Sequence, residues 1–135
     1  MILVDTTVIV DLLKGIENEK VKLFEEILSQ NAPYGISSHT YQEVLQGARN
    51  DHEYSKLKKY LSSQKVYFLT EEVETYEKAA HIFYQLRRQG ITIRSAIDIL
   101  IALTAIEYNL YLLHNDRDFE IMTGKVPGLK ILNSF

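Results

Sequence analysis

The 135-residue chain has no cysteine and only two prolines, and each shortage excludes a class of protein. Without cysteine there is no disulfide framework, no zinc–thiolate site and no cysteine nucleophile. Pro33 and Pro127 lie beside turn-forming residues and therefore mark turns, not linkers. Since the chain also lacks internal repeats and low-complexity tracts, we predict a single domain spanning residues 1–135.

Long hydrophobic runs are missing as well. The longest covers residues 96–106 and contains Asp98, whereas a membrane-spanning helix needs about 20 apolar residues. The apolar start of the chain has no basic segment and carries Asp5 and Asp11, so we expect no secretory signal. The expectation is a soluble, cytoplasmic protein that does not enter a membrane.

An excess of positive charge is also absent, because 15 Lys and Arg stand against 18 Asp and Glu, a formal charge of −3. No global basic field therefore attracts nucleic acid or acidic lipid, and any nucleic-acid binding must depend on local arginines. The candidates are Arg49, Arg87, Arg88, Arg94 and Arg117, of which Arg94 directly precedes an apolar helix.

The hydrophobic periodicity predicts short strands that alternate with helices. Apolar runs predict strands at residues 2–4, 34–37, 65–69, 111–114 and 129–132. Helical spacing predicts helices at 7–14, 38–48, 53–61, 72–89 and 96–108, with a further amphipathic stretch around residues 21–28. Strands separated by helices cannot form hairpins, so we predict a mainly parallel sheet in an α/β fold with helices on both faces.

Acidic residues stand where such a sheet forms its sites, beyond the carboxyl ends of the strands. Asp5 follows the first strand and Asp116 follows the fourth, while Asp98 lies in the first turn of the most apolar helix and Glu43 lies in the helix after the second strand. Clustered carboxylates repel one another unless a cation compensates them. Oxygen ligands favour Mg²⁺ or Mn²⁺, which can activate water and stabilise charge on a phosphate.

Each acid also has a purely structural interpretation. Asp5 and Asp116 are suited to capping the helices that follow them, and Ser95 with Asp98 resembles a capping box. Glu43 lies opposite the apolar stripe of its helix, as a solvated residue would. Asp118 has the position of a solvated acid in a first helical turn, and the isolated His114 is more often a structural residue than a functional one.

Other catalytic motifs are missing. The four histidines are scattered without an H-x-x-x-H pair for zinc, and there is no nucleophile elbow, P-loop or G-x-G-x-x-G. A haloacid-dehalogenase-like phosphatase would need an acid two residues after Asp5, where Thr7 stands. A receiver-like module would need its acceptor Asp after the third strand, where the sequence reads Leu69-Thr70-Glu71.

The order and spacing of three segments resemble the PIN-domain family, and more narrowly the VapC-type toxins of toxin–antitoxin modules. The segments are ILVDTTVIVDLLKG, SSHTYQEVLQGAR and IRSAIDILIALTAIEYNLYLLHNDRDF. The resemblance implies a three-layer α/β/α PIN-like domain on a short, mainly parallel sheet. It also implies a Mg²⁺- or Mn²⁺-dependent ribonuclease that cuts RNA until an antitoxin binds, and a homodimer. The alternative is a catalytically silent PIN-like binding scaffold.

The resemblance also assigns the site. It implies that the catalytic residues are Asp5, Glu43, Asp98 and Asp116, and that Asp5, Asp98 and Asp116 hold the metal. Asp118 matches a frequent further acid, and Thr6 or Thr7 matches a common small hydroxyl after the first Asp. Asn115, with His114, stands where related sequences often have Thr or Ser. Together with Arg94, these residues give the predicted substrate-binding set of Thr6, Arg94, Asn115 and Asp118.

Overall fold

Five parallel strands form one sheet in the computed structural model, which describes all 135 residues. Their order across the sheet is β3-β2-β1-β4-β5. Ile2 is in register with Tyr34 on one side and with Tyr111 on the other. The strands are β1 (Ile2–Val4), β2 (Tyr34–Ser37), β3 (Val66–Tyr67), β4 (Tyr111–Leu113) and β5 (Lys130–Ile131).

Seven helices connect the strands. Gly15 and Gly90 follow the ends of α1 and α5 with φ of 72° and 79°, a left-handed conformation that suits glycine after a helix. The helices are α1 (Thr6–Leu13), α2 (Glu19–Ser29), α3 (Ser38–Gln46), α4 (Asp51–Ser62), α5 (Val73–Arg88), α6 (Ala96–Glu107) and α7 (Arg117–Met122). No helix is at once long enough and apolar enough to span a bilayer.

The sheet is buried on both faces, which explains why its strands read as continuous apolar runs. Along β1, Leu3 packs into the core formed with α5, α6 and α7, whereas Ile2 and Val4 pack into the core formed with α1 to α4. Successive side chains of a strand point to opposite faces, so three apolar residues serve both layers. The predicted parallel sheet and three-layer α/β/α fold are confirmed.

Several predicted boundaries are wrong by a few residues. The helix α3 ends at Gln46 and not at residue 48, and its N-cap is Ser37, whose hydroxyl accepts the Thr40 N–H at 3.0 Å. The helix α4 begins before residue 53, since the Asn50 side chain caps it. The third strand is limited to Val66 and Tyr67, and Phe68 beyond it is exposed.

The sheet reverses its winding at β1, which has β2 on one side and β4 on the other. Because all strands are parallel, the carboxyl ends of β1 and β4 lie at the same edge. Asp5 follows β1 directly, and residues 114–116 follow β4. Crevices at such reversal points are the usual ligand sites of parallel sheets.

Candidate functional site

Three carboxylates meet at this edge of the sheet. Asp98 lies in the first turn of α6, Asp116 caps α7 and Asp118 lies in the first turn of α7. One oxygen from each lies within 4.8 Å of the others. We call these three residues the acidic cluster. Its position depends on packing of α6 and α7 against the same face of the sheet.

Asp5 lies beside this cluster as the N-cap of α1. Its Oδ2 accepts hydrogen bonds from the Thr7 N–H at 3.1 Å and the Thr7 hydroxyl at 2.6 Å. Burial raises the pKa of Asp5 to about 6, although the hydrogen bonds from Thr7 oppose this shift. Asp5 therefore caps a helix, and it is also a buried carboxylate whose ionised form is disfavoured without a cation.

Asp98 shows the same effect more strongly. Burial, followed by the charges of Asp116, Asp5, Asp118 and Glu43 in that order, raises its pKa to about 7. The acids thus interact electrostatically although they come from four separate segments. The capping interaction is simpler than predicted, since the Ser95 hydroxyl accepts the Ile97 N–H without the reciprocal bond of a capping box.

Glu43 reaches the same region from α3 and is half-buried rather than solvated. The Thr6 hydroxyl donates to Glu43 Oε1 at 2.7 Å. The Thr6 and Thr40 hydroxyl oxygens are 3.0 Å apart, and Thr40 is tied to Ser37 in turn. A chain of hydroxyls inside the protein therefore fixes one oxygen of Glu43.

Thr40 is a positioning residue that the sequence interpretation missed. Its side chain is fully buried between Ser37 and Thr6. Thr40 and Glu43 are three residues apart on α3, so they lie on the same helix face. The spacing of Thr40 and Glu43 could have identified Thr40 from the sequence. A hydroxyl on the same helix face as a candidate acid needs a hydrogen-bond partner if it is buried.

The segment after β4 is held by its own polar side chains. His114 is buried, and its Nδ1 accepts the Asp116 N–H at 3.1 Å, while its Nε2 lies 3.2 Å from Glu120 Oε1. Burial lowers the pKa of His114. The Asn115 N–H donates to the Thr7 hydroxyl at 3.0 Å. His114 therefore has a structural role, which orients the backbone that presents Asp116.

Arg94 is the cation of the site. Its Nη2 lies 3.0 Å from Asp116 Oδ1, and its Nε lies 3.3 Å from Asp118 Oδ2. The hydrogen bond and charge of Asp118 raise the pKa of Arg94, which therefore stays charged. Asp118 is buried and paired, not solvated. Among the predicted substrate-binding residues, Thr6, Arg94 and Asp118 thus bond to other side chains of the site, and the Asn115 side chain donates to Asp11 at 3.3 Å.

The donor set suits a hard divalent cation. Carboxylate oxygens without sulfur or imidazole ligands favour Mg²⁺ or Mn²⁺ over zinc. The sequence-based metal set was Asp5, Asp98 and Asp116, whereas the structure groups Asp118 with Asp98 and Asp116 and leaves Asp5 outside this closest group. Asp5 still contributes negative charge at Asp98. The raised pKa values of both residues are the expected signature of an acidic site that a cation would stabilise.

Comparison with protein families gives one assignment over most of the chain. The profile of the PIN domain matches residues 2–125. A similar protein is the VapC ribonuclease Mb1587 of Mycobacterium bovis, 28% identical over 123 residues that cover 90% of this chain and 91% of that protein. Ribonuclease VapC11 of Mycobacterium tuberculosis has the same identity and coverage.

Solved structures share the fold over the full length. VapBC2 from Rickettsia felis, solved bound to a DNA fragment from its promoter, has a TM-score of 0.72 at 23% identity with complete coverage of both chains. VapBC-1 from nontypeable Haemophilus influenzae has a TM-score of 0.71 at 25% identity, with 98% of each chain covered. These likenesses extend to both ends of the chain and include every strand of the sheet.

Proposed function

The chain belongs to the PIN-domain family, and from this premise we propose that it is a Mg²⁺- or Mn²⁺-dependent endoribonuclease that hydrolyses phosphodiester bonds. One observation supports the proposal above all others. Three carboxylates from two helices have oxygens within 4.8 Å of one another at the reversal point of the sheet. The curated relatives named VapC ribonuclease favour RNA as the substrate.

Each acid has a distinct part in the proposed reaction. Asp98 and Asp116 would hold the ion, and Asp5, which directly follows β1, would add negative charge. When bound, a divalent ion supplies charge stabilisation for the phosphate and makes water a stronger nucleophile. Glu43 orients the attacking water with Oε2, because its other oxygen is occupied by the Thr6 hydroxyl. A fixed carboxylate in that role favours in-line attack by reducing the entropy cost of alignment.

Substrate binding needs local positive charge because the net charge is −3. Arg94 donates two side-chain N–H groups to Asp116 and Asp118, and a guanidinium has five in all. The remaining donors face solvent and suit an RNA phosphate. Arg117 is exposed at the first position of α7. We place the RNA backbone across this edge, against Arg94, Arg117, Thr6 and Asn115, with Asp118 holding Arg94 in position.

Cleavage of a labelled RNA tests the proposal. Wild-type protein with Mg²⁺ or Mn²⁺ should cleave internally, and excess EDTA should abolish cleavage. Asp5→Asn should lose activity at least about 100-fold, since it removes a buried charge of the site. Asp51→Asn is the matched control, because Asp51 is an exposed first-turn acid of α4. Full activity of Asp5→Asn, or cleavage in excess EDTA, would contradict metal-dependent cleavage at this site. No cleavage by wild type with either Mg²⁺ or Mn²⁺ would indicate a catalytically silent PIN-like scaffold.

We further propose that the ribonuclease is the toxin of a VapBC-type toxin–antitoxin pair and acts in the cytoplasm. The support is the similarity to VapC proteins and to structures solved as VapBC assemblies. Induced expression should arrest growth, and coexpression of the cognate antitoxin should restore it. Expression of Asp5→Asn at the same level should leave growth unchanged. Arrest by that variant would separate toxicity from RNA cleavage.

A homodimer is the proposed assembly. The helix α5 exposes Val73, Tyr76 and Tyr84 to solvent at 74%, 50% and 45%, an apolar surface typical of protein contacts. Light scattering should give twice the chain mass. Tyr76→Glu should shift the protein toward monomer, whereas Tyr54→Glu, at a similarly exposed tyrosine of α4, should not. A wild-type monomer at all concentrations would contradict the dimer.

A further inference from the structure

Arg94 occupies an unusual position for an exposed residue. Its side chain is 73% accessible, yet it makes three hydrogen bonds to the acidic cluster. The backbone N–H and Nε both donate to Asp118 Oδ2, at 3.1 and 3.3 Å, and Nη2 donates to Asp116 Oδ1 at 3.0 Å. The backbone bond fixes Asp118 independently of the side chain. Because this bond also fixes the backbone of Arg94 beside Asp118, the guanidinium is held against the carboxylates of Asp116 and Asp118.

The hydrogen bonds divide the carboxylate oxygens into two groups. Asp116 Oδ1 also accepts the Asp118 N–H at 2.9 Å, so two oxygens receive four N–H groups in total. The second oxygens of Asp116 and Asp118 and both oxygens of Asp98 accept no hydrogen bond. The free oxygens are those available to a cation.

A second divalent ion held by the acidic cluster would compete with Arg94 for the occupied oxygens. In two-metal sites the ions lie about 3.5–4 Å apart and share carboxylates between them. In this site a guanidinium already bonds to Asp118 Oδ2 and Asp116 Oδ1, and its positive charge would repel a neighbouring ion. Within the acidic cluster, Arg94 balances one of the three negative charges and a single divalent ion would balance the other two. Asp5 and Glu43 lie outside this balance.

We propose that Arg94 replaces a second divalent ion in this site, so that each chain binds one metal ion between Asp98 and the free oxygens of Asp116 and Asp118. This inference rests on the proposed metal-dependent function and adds the number of ions to it. Arg94 is then a built-in counter-cation and a positioning residue for Asp116. Asp118 anchors Arg94 through Oδ2.

Counting bound Mn²⁺ in the absence of RNA tests the inference. Full-length protein is titrated with Mn²⁺ at pH 7.5, and free Mn²⁺ is measured by electron paramagnetic resonance, with calorimetry as the second measurement. Wild type should bind one ion per chain. Arg94→Lys, which keeps the charge, should also bind one. Arg94→Gln should bind two, because it removes the guanidinium donors from both oxygens, leaving each with one backbone N–H, and removes the repelling charge.

Each possible count has a stated meaning. Two ions in wild type or in Arg94→Lys, or any number other than two in Arg94→Gln, would overturn the inference about Arg94. No Mn²⁺ bound by wild type would overturn the proposed metal-dependent function itself. Circular dichroism of each variant verifies folding, which the exposure of the Arg94 side chain leads us to expect unchanged.

Discussion

At the scale of single residues, the site is defined by carboxylates whose ionisation the fold disfavours. Asp98 has its pKa raised from 3.8 to about 7, first by burial and then by neighbouring acids. Between these two values the native state binds a proton that the unfolded chain releases. The contribution of Asp98 to stability therefore falls as the pH rises from about 4 to about 7, and above that range the full penalty is present.

Asp98→Asn should consequently stabilise the metal-free protein at pH 8. We expect a rise of about 3–5 °C in Tm, the shift that about 1 kcal/mol produces in a domain of this size. At pH 4 the variant and wild type should differ little. Thermal melts in EDTA across this pH range measure the effect, with Asp51→Asn as the control. An equal or lower Tm for Asp98→Asn at pH 8 would contradict the assigned penalty.

The bond between Thr6 and Glu43 makes a second prediction at this scale. Thr6→Val preserves size but removes the donor that fixes Glu43 Oε1 at 2.7 Å. RNA cleavage should fall about 10- to 100-fold, the usual effect of losing a group that orients a functional side chain. Thr6→Ser should retain most activity. A Thr6→Val enzyme as fast as wild type would show that this hydrogen bond does not contribute to the reaction.

The site could be predicted from sequence in outline but not in its contacts. The positions of Asp5 and Asp116 after apolar runs indicated an acidic edge, because strand ends of a parallel sheet converge. The pairing of Arg94 with Asp118 joins residues 24 apart, and that of Thr6 with Glu43 joins residues 37 apart. No local pattern encodes such pairs, since they depend on how the helices pack.

At the scale of elements, strand and helix types were easier to predict than their limits. The continuous apolar residues of β1 and β4 indicated strands, and the structure confirms both. The run KVYFL predicted five residues of strand, but only Val66 and Tyr67 pair with β2. Hydrophobicity alone cannot set that limit, because the length of the neighbouring strand decides where pairing stops.

The close packing of β2 against β3 requires glycine at position 35, because there is no room there for a side chain. A Cβ at this position would lie 2.5 Å from the Tyr67 ring and 2.9 Å from the Lys65 carbonyl oxygen. Gly35→Ala should lower the free energy of unfolding by about 1–3 kcal/mol, as overpacking does in cores. Urea denaturation measures it. Gly47→Ala, where φ is −77° and the nearest atom is 3.3 Å away, should change stability far less.

At the scale of the whole molecule, the proposed metal binding would be coupled to folding. An ion that binds only the native state stabilises it in proportion to its concentration over Kd. Because the ligands must lose their protons first, Mn²⁺ should raise Tm much more at pH 8 than at pH 5.5. Asp98→Asn should show little of this Mn²⁺-dependent rise. Equal rises at both pH values would indicate binding away from Asp5 and Asp98.

Net charge bears on the proposed binding of RNA at the same scale. The net charge of −3 is unfavourable for a polyanion, whereas a bound divalent ion and Arg94 concentrate positive charge at one edge of the sheet. Affinity for RNA should therefore depend on the metal as well as on salt. Filter binding of RNA to Asp5→Asn, with and without Mg²⁺, measures the metal dependence of RNA affinity in a variant that should not cleave the RNA.

The most direct test of a shared metal site is a crystal structure of the protein soaked in Mn²⁺, with anomalous diffraction used to locate the ion. We predict an anomalous peak among Asp98, Asp116 and Asp118, about 2.1–2.3 Å from at least two of their carboxylate oxygens. A fully active protein that shows no peak at this cluster under saturating Mn²⁺ would contradict the assignment of these acids to metal-dependent cleavage.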